Sequence, residues 1–161
     1  MSSALKDAAK IATLVAIATL LSGPATAEDS LDETFKREVL IIEASEHACY
    51  RFDIYMAFNT AQQRRGLMHV RQLPQFSGML FVYSEPGIRS MWMKNTYIPL
   101  DMLFIRGDGT VSSVAANTEP LSLESVRSKE PVNFVLELNA GVSKKLRIDA
   151  DSKLIFDQPG T

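Results

Sequence analysis

Short stretches in which apolar and polar residues alternate recur along most of the chain. The clearest is Tyr50–Met56, where every second side chain is apolar. A period of two residues is typical of a β-strand that buries one face. The same reasoning predicts further strands at Phe35–Glu43, Met79–Tyr83, Ile88–Met93, Leu100–Ile105, Val111–Ala116, Val132–Leu138 and Lys153–Phe156. We therefore expect a mainly β domain, built as a β-sandwich, a jelly-roll-like fold or a barrel-like sheet, with one or two short helices.

Two segments carry helix signals. Asn59-Thr60 can cap a helix over Ala61–Arg65, which Gly66 is expected to end. The second segment, Gly141–Arg147, has an apolar pair four residues apart and two outward-facing lysines. The residue types that favour turns predict connections at Ser84–Gly87 and Arg106–Thr110, and a long polar loop at 117–130.

The N-terminus has the layout of a secretory signal peptide. Lys6 and Lys10 precede an apolar run of 11 residues, Ile11–Leu21, and small residues at Ala25–Ala27 follow. Because a membrane-spanning helix needs about 20 apolar residues, a retained membrane anchor is the weaker alternative. We expect cleavage after Ala27, export to the periplasm or beyond, a short leader at 28–34 and a single β-rich domain at 35–158.

Charge and motif content limit the function classes. The 17 lysine and arginine residues nearly balance 19 aspartate and glutamate residues, so a basic nucleic-acid surface is not expected. One cysteine, Cys49, excludes an internal disulfide framework. We expect it to be buried on its strand, the alternative being a reactive or intermolecularly bonded thiol. His47 and His69 have no metal-ligand neighbours at useful spacing, and no catalytic or cofactor motif is present, so we expect no metal and no cofactor and favour a non-enzymatic protein, with enzyme activity left open.

Polar and aromatic residues gather near the predicted strand Ile88–Met93. Strand alternation places Trp92 and Lys94 on the same side of the chain, followed by Asn95. An indole beside an ammonium group suits stacking on a ring, such as a sugar, and contact with an anionic group. The structural alternative is that Trp92 belongs to the core and Lys94 marks the end of the strand.

Two carboxylates fall among apolar residues in predicted strands. Asp101 and Glu137 would each cost several kcal/mol if buried without a partner. Arg65 and Lys94 are the candidate partners of Asp101, and together with Asn95 these side chains could form a polar cluster. The cluster could be a binding site, a catalytic carboxylate pair or an ion-pair network that only stabilises the fold.

Five sequence blocks resemble one known family. They are Arg65–Met68, Arg71–Pro74, Gly78–Phe81, Trp92–Asp101 and Leu136–Gly141. In this order they are similar to the uncharacterised conserved proteins called domain of unknown function 192, over residues 36–157. The resemblance implies a small, mainly β domain of jelly-roll type, often preceded by a signal sequence, for which no activity is established.

Three function classes remain open at this stage. We favour an exported, non-enzymatic domain that binds a small anionic or carbohydrate ligand, or an envelope protein. Its expected ligand-binding residues are Arg65, Trp92, Lys94, Asn95 and Asp101. The first alternative is a hydrolase or lyase that acts on cell-envelope carbohydrate through Asp101 and Glu137, whose carboxyl groups would have to face each other across a cleft. The second is a structural accessory subunit with an exposed apolar patch.

Overall fold

A computed structural model describes residues 31–44 and 48–156. Nine strands and two short helices form in this part of the chain, which confirms the mainly β prediction. The strands are β1 (Lys36–Glu43), β2 (Cys49–Ala57), β3 (Ser77–Gly87), β4 (Ser90–Met91), β5 (Leu100–Ile105), β6 (Val111–Thr118), β7 (Val126–Arg127), β8 (Val132–Asn139) and β9 (Lys153–Phe156). The helices are α1 (Thr60–Arg65) and α2 (Val142–Leu146).

Seven strands make one curled sheet in the order β6-β5-β8-β3-β2-β1-β9. Every neighbouring pair is antiparallel except β2 and β3, which run parallel. The two edges of the sheet approach each other, because Thr110 forms a β-bridge to Lys153 and the Leu154 N–H donates to the Gly109 carbonyl at 2.8 Å. The sheet is therefore a half-barrel, and β4 and β7 pair separately beside it.

Both faces of the large sheet are covered by apolar side chains. One face carries a core that α2 helps to close, with Phe52, Ile54, Leu80, Leu103, Leu136 and Leu146 among its members. The other face carries a second core beneath α1 and the loop that follows it, with Leu31, Phe35, Tyr55, Met79, Phe81 and Val135 among its members. As a consequence, all six residues of β5 are buried.

Helix α1 ends at Arg65, as predicted, and begins at Thr60, one residue before the predicted start at Ala61. The Asn59 side chain accepts from the Gln62 backbone N–H at 2.9 Å, and the Gln62 side chain accepts in return from the Asn59 N–H at 3.3 Å. Gly66 ends the helix with φ +47°, in the region that favours glycine. Two reciprocal bonds satisfy donors that the first turn leaves without a partner, which explains why six residues suffice for a helix here.

Removing this cap should destabilise the protein by about 1 kcal/mol. Asn59→Ala deletes the side-chain acceptor, whereas Thr60→Ala changes the next, exposed residue and leaves both cap bonds intact. Urea unfolding monitored by circular dichroism measures both variants. Equal losses of unfolding free energy in the two variants would contradict a role of the cap.

Three local predictions are wrong. The expected turn at Ser84–Gly87 is the end of β3, where the pairing with β8 shifts register between Val82 and Gly87. That irregularity accommodates Pro86, which has no N–H for a regular ladder. The expected strand Ile88–Met93 is reduced to β4, and the polar segment 117–130 contains β7, its partner.

Cys49 is exposed, so the expectation of burial is also wrong. It is the first residue of β2 and pairs with Glu43 at the end of the sheet. Strand alternation puts its side chain on the side of exposed Arg51, opposite buried Phe52 and Ile54. The period that predicted the strand thus also explains the exposure of the thiol.

The expected signal peptide, residues 1–27, lies outside the described residues. Leu31 is buried in the second core, so the folded part begins no later than this residue. Neither helix of the described part has the length and apolar character that crossing a bilayer requires.

Candidate functional site

A cavity of about 100 Å³ lies between α1, the end of β3 and the segment around β4. We call it the Trp92 cavity. Its lining includes Arg64, Arg65, Tyr83, Met91, Trp92, Thr96 and Glu137. Since one water needs about 10–15 Å³ of such volume, the cavity has room for several waters or one small ligand.

Strand register explains how Glu137 reaches this cavity. Glu137 on β8 lies opposite Met79 on β3, and Val135 lies opposite Phe81. Opposed residues share a face, so the Glu137 side chain projects from the face of the second core. Tyr83 follows Phe81 by two residues and therefore projects from the same face.

Glu137 is an unusual carboxylic acid. The residue is only 4% exposed. Within the described part of the chain its carboxyl group has no hydrogen-bond or ion-pair partner. Burial raises the pKa of Glu137 to about 8. No nearby charge offsets this desolvation. At neutral pH the group is therefore mostly a neutral acid, able to donate one hydrogen bond.

Tyr83 forms another wall of the cavity. Its hydroxyl lies 4.0 Å from the Met91 sulfur, and the Arg89 guanidinium stands 3.8 Å from the centre of its ring. Burial raises the pKa of Tyr83, and the Glu137 carboxyl adds to this effect, whereas Arg89 opposes it. The phenol consequently remains neutral well above neutral pH.

Trp92 stands at the mouth of the cavity and is 52% exposed. The Lys94 ammonium lies 5.3 Å from its ring centre, so the structure brings these two predicted residues together. Met93 between them is buried, although regular pairing in this segment is limited to β4. The alternative that placed Trp92 in the core is wrong.

The two arginines at the end of α1 differ in their surroundings. Arg65 lines the cavity, donates to the Thr34 hydroxyl and holds its guanidinium 5.5 Å above the Phe35 ring. Arg64 also lines the cavity but is exposed and makes no hydrogen bond, ion pair or ring contact within the described residues. Its guanidinium is therefore available to a ligand.

Asn95 is a turn residue rather than part of the cavity wall. Its φ of +57° lies in the left-handed region, which asparagine tolerates better than most residues. Its carbonyl accepts from the His69 N–H at 2.8 Å, and its side-chain nitrogen lies 3.9 Å from the Met68 sulfur. Asn95 thus fixes the segment that follows Lys94.

Asp101 lies elsewhere and has other partners than those expected. Its Oδ1 accepts from the Asn117 N–H at 2.9 Å, and its Oδ2 accepts from the Ser143 N–H at 2.9 Å and the Ser143 hydroxyl at 2.6 Å. Neither Lys94 nor Arg65 contacts it, so the predicted ion pairs are wrong. These bonds fasten β5 to the end of β6 and the start of α2, which is a structural arrangement.

The two buried carboxylates do not face each other. Register pairs Asp101 with Leu138 and Met102 with Glu137, so Asp101 and Glu137 project from opposite faces of the sheet. A glycosidase-type mechanism needs both carboxyl groups in one cleft. The structure therefore removes the catalytic pair on which the hydrolase or lyase hypothesis rests.

Three residues that line the cavity, Arg64, Tyr83 and Met91, carry no sequence signal for a site. The sequence places Arg64 in a helix and Tyr83 at the end of a strand, and it indicates no more about either residue. Nothing in their spacing indicates that a helix end and a bulged strand end meet over Glu137. Within the described part of the chain, no group of three or more histidine, cysteine, aspartate or glutamate side chains is arranged to hold a metal ion.

The family model of domain of unknown function 192 (DUF192), described as an uncharacterized ACR, matches residues 41–156. The chain belongs to this family. The match confirms the resemblance indicated by the five sequence blocks, and it covers most of the residues that the structure describes. No curated protein matches the chain.

Two crystal structures resemble this DUF192 protein closely. One is of a suggested transcription regulator from Sinorhizobium meliloti 1021, with 38% identity and a TM-score of 0.74, and the alignment covers 76% of this chain and 95% of that chain. The other is of a protein of unknown function from Novosphingobium aromaticivorans DSM 12444, with 30% identity, a TM-score of 0.73 and coverage of 76% and 86%. Both share the half-barrel fold.

Proposed function

We propose that this DUF192 protein is an exported, non-enzymatic domain that binds a small ligand in the Trp92 cavity. The observation that carries the proposal is Glu137, a buried carboxyl group that lines a cavity and has no hydrogen-bond or ion-pair partner among the described residues. Burying a polar group without a hydrogen bond costs free energy of folding, and a ligand that supplies the bond recovers it. Export is supported by the charged and apolar pattern of the first 27 residues.

The walls of the cavity are those of a small-molecule site. Such sites combine apolar and aromatic surfaces with a few polar groups that orient the ligand. Here Met91, Tyr83 and Trp92 supply the apolar surface, and Glu137 and Arg64 supply the polar groups. Trp92 leaves half of its ring available for stacking, which suits a ligand that contains a ring or another flat group.

An envelope protein is the second candidate partner. Leu121 and Leu123 are exposed, and the backbone of Ser122 between them accepts a hydrogen bond from Met93 at 3.1 Å. Trp92 is therefore close to two further exposed apolar residues, as an accessory subunit would require. This partner would cover the patch without using the Glu137 carboxyl group.

Co-purification tests small-ligand binding directly. The protein is isolated from cell envelopes, unfolded, and the released small molecules are identified by mass spectrometry. We expect one compound to accompany the wild type, and Trp92→Ala to weaken its binding about fivefold, since losing an aromatic contact costs about 1 kcal/mol.

Phe58→Ala is the matched control, because Phe58 is 53% exposed and does not line the cavity. This variant should retain the compound at the level of the wild type. Equal retention by Trp92→Ala and Phe58→Ala would contradict the proposal. Recovery of no compound, together with a protein partner whose capture survives a change of Glu137, would favour the second candidate.

A further inference from the structure

Positively charged side chains outnumber acidic ones around the Trp92 cavity. Glu137 is the single acidic side chain among its lining residues, and burial keeps it mostly neutral at pH 7. Arg64 and Arg65 line the same cavity, and Lys94 lies against Trp92 at its mouth. A ligand that enters therefore meets positive charge before it meets a neutral acid, which favours an anion over a cation.

The hydrogen-bonding capacity points in the same direction. A protonated carboxyl group offers one O–H donor. An ionised ligand carboxylate can only accept hydrogen bonds, so the two groups are complementary. Hydrogen bonds between an acid and a carboxylate are short and are among the strong ones. Arg64, which has no partner among the described residues, presents the planar guanidinium that matches a carboxylate.

We propose that the Trp92 cavity binds a small organic carboxylate, which accepts a hydrogen bond from the Glu137 carboxyl group and has its charge balanced by Arg64. The inference rests on the proposed small-ligand function and names its ligand class. The apolar part of the ligand packs against Met91 and Trp92. The cavity, at about 100 Å³, is smaller than the roughly 150 Å³ that encloses benzene, so the carboxylate end of an aromatic acid such as benzoate would enter and its ring would stay at the mouth, against Trp92.

Binding of this kind depends on pH with a defined sign. The bound form needs the proton on Glu137, so affinity is nearly constant below pH 8 and falls about tenfold for each pH unit above it. The other ionisable side chains that line the cavity are Tyr83 from β3 and Arg64 and Arg65 from α1. Burial raises the pKa of the Tyr83 phenol, and arginine side chains in general do not lose their proton in proteins, so none of these groups reproduces the effect.

Calorimetric titration with benzoate, benzamide and benzylamine tests the inference on the purified full chain at pH 7 and pH 9. The three probes share one ring and differ in the charge of the group beside it. We expect benzoate to bind most tightly, its Kd to rise about tenfold from pH 7 to pH 9, and benzylamine to give no binding. Glu137→Gln should bind benzoate equally at both pH values, because the amide donates a hydrogen bond at either pH.

Two further variants locate the binding. Arg64→Gln should raise the Kd of benzoate about tenfold or more, because a charge-assisted bond is lost. Lys144→Gln alters an open groove lined by Lys129, Lys144 and Arg147 on another part of the surface, and it should leave the Kd unchanged. If Lys144→Gln abolishes binding and Arg64→Gln does not, the benzoate site is the groove and the inference fails.

The outcomes separate this inference from the proposed function. Tighter binding of benzylamine or benzamide than of benzoate overturns the carboxylate assignment and still supports a small-ligand site. Absence of heat with millimolar benzoate also overturns the assignment. Failure of the proposed function requires, in addition, that no compound co-purifies with the wild type.

Discussion

Replacing Glu137 by leucine should make the protein more stable at pH 9 by about 4 kcal/mol and should abolish a fall in stability between pH 5 and pH 9. The unfolded chain ionises this side chain near the ordinary pKa of 4.5, whereas the folded protein retains the proton until about pH 8. Between these two values unfolding releases a proton, so rising pH favours the unfolded state. Leucine has no proton to release and suits the apolar surroundings of Phe81 and Met91.

Urea unfolding at pH 5, 7 and 9 measures the effect. Glu85→Leu is the matched control, because Glu85 is an exposed glutamate on β3 and the substitution is the same. The control should keep the pH dependence of the wild type. A wild-type unfolding free energy that does not decrease from pH 5 to pH 9 would show that Glu137 is solvated or paired in the folded protein.

The Glu137 result also bears on evolution of the site. An acid that weakens the fold at neutral pH and above is a poor choice for a purely structural position, since leucine would fill it better. The presence of an acid at position 137 is explained if Glu137 binds a ligand in the Trp92 cavity. Benzoate titration of Glu137→Leu, which has no donor at this position, should show loss of binding together with the gain in stability.

Asp101→Ala should lower the free energy of unfolding by about 3–5 kcal/mol. The carboxylate accepts three hydrogen bonds, and its removal leaves the buried backbone N–H of Ser143 and the half-buried N–H of Asn117 without acceptors. The variant should still bind benzoate wherever it is folded, because Asp101 lies on the opposite face of the sheet from Glu137.

Ser143→Ala is the control for this variant. It removes one hydroxyl bond and retains both backbone bonds to Asp101, so we expect a loss of only about 1 kcal/mol. Urea unfolding gives the stability, and calorimetry with benzoate gives the binding. An Asp101→Ala protein with unchanged stability and lost binding would place Asp101 in the ligand site and contradict the structural role.

Local signals in the sequence predicted the elements well. The alternation of Tyr50–Met56 became part of β2, and β5 has the predicted bounds. The Asn59 cap and the Gly66 end of α1 were predictable because both act within one helical turn. The relation of Trp92 to Lys94 was predictable for the same reason, since residues two apart in extended chain share a side.

The candidate site was only partly predictable because its contacts are distant in sequence. Ser143 lies 42 residues from Asp101, and no sequence pattern around either residue predicts the hydrogen bonds between them. Alternation also does not tell which face of a sheet a residue occupies when both faces are buried, as they are along β5. For this reason the sequence predicts that Asp101 and Glu137 both point into the core but does not show that they project from opposite faces of the sheet, as the strand pairing does.

The parallel pairing of β2 with β3 has a consequence for where ligands can bind. Antiparallel neighbours can be joined by a tight hairpin, but two parallel strands require a connection that travels back along the sheet. In this protein the returning connection is residues 58–76, and it carries Arg64 and Arg65 across the face from which Glu137 projects. The Trp92 cavity therefore depends on the parallel direction of β2 and β3. If the two strands were antiparallel, a tight turn could join them, and the segment that carries Arg64 and Arg65 would no longer cover Glu137.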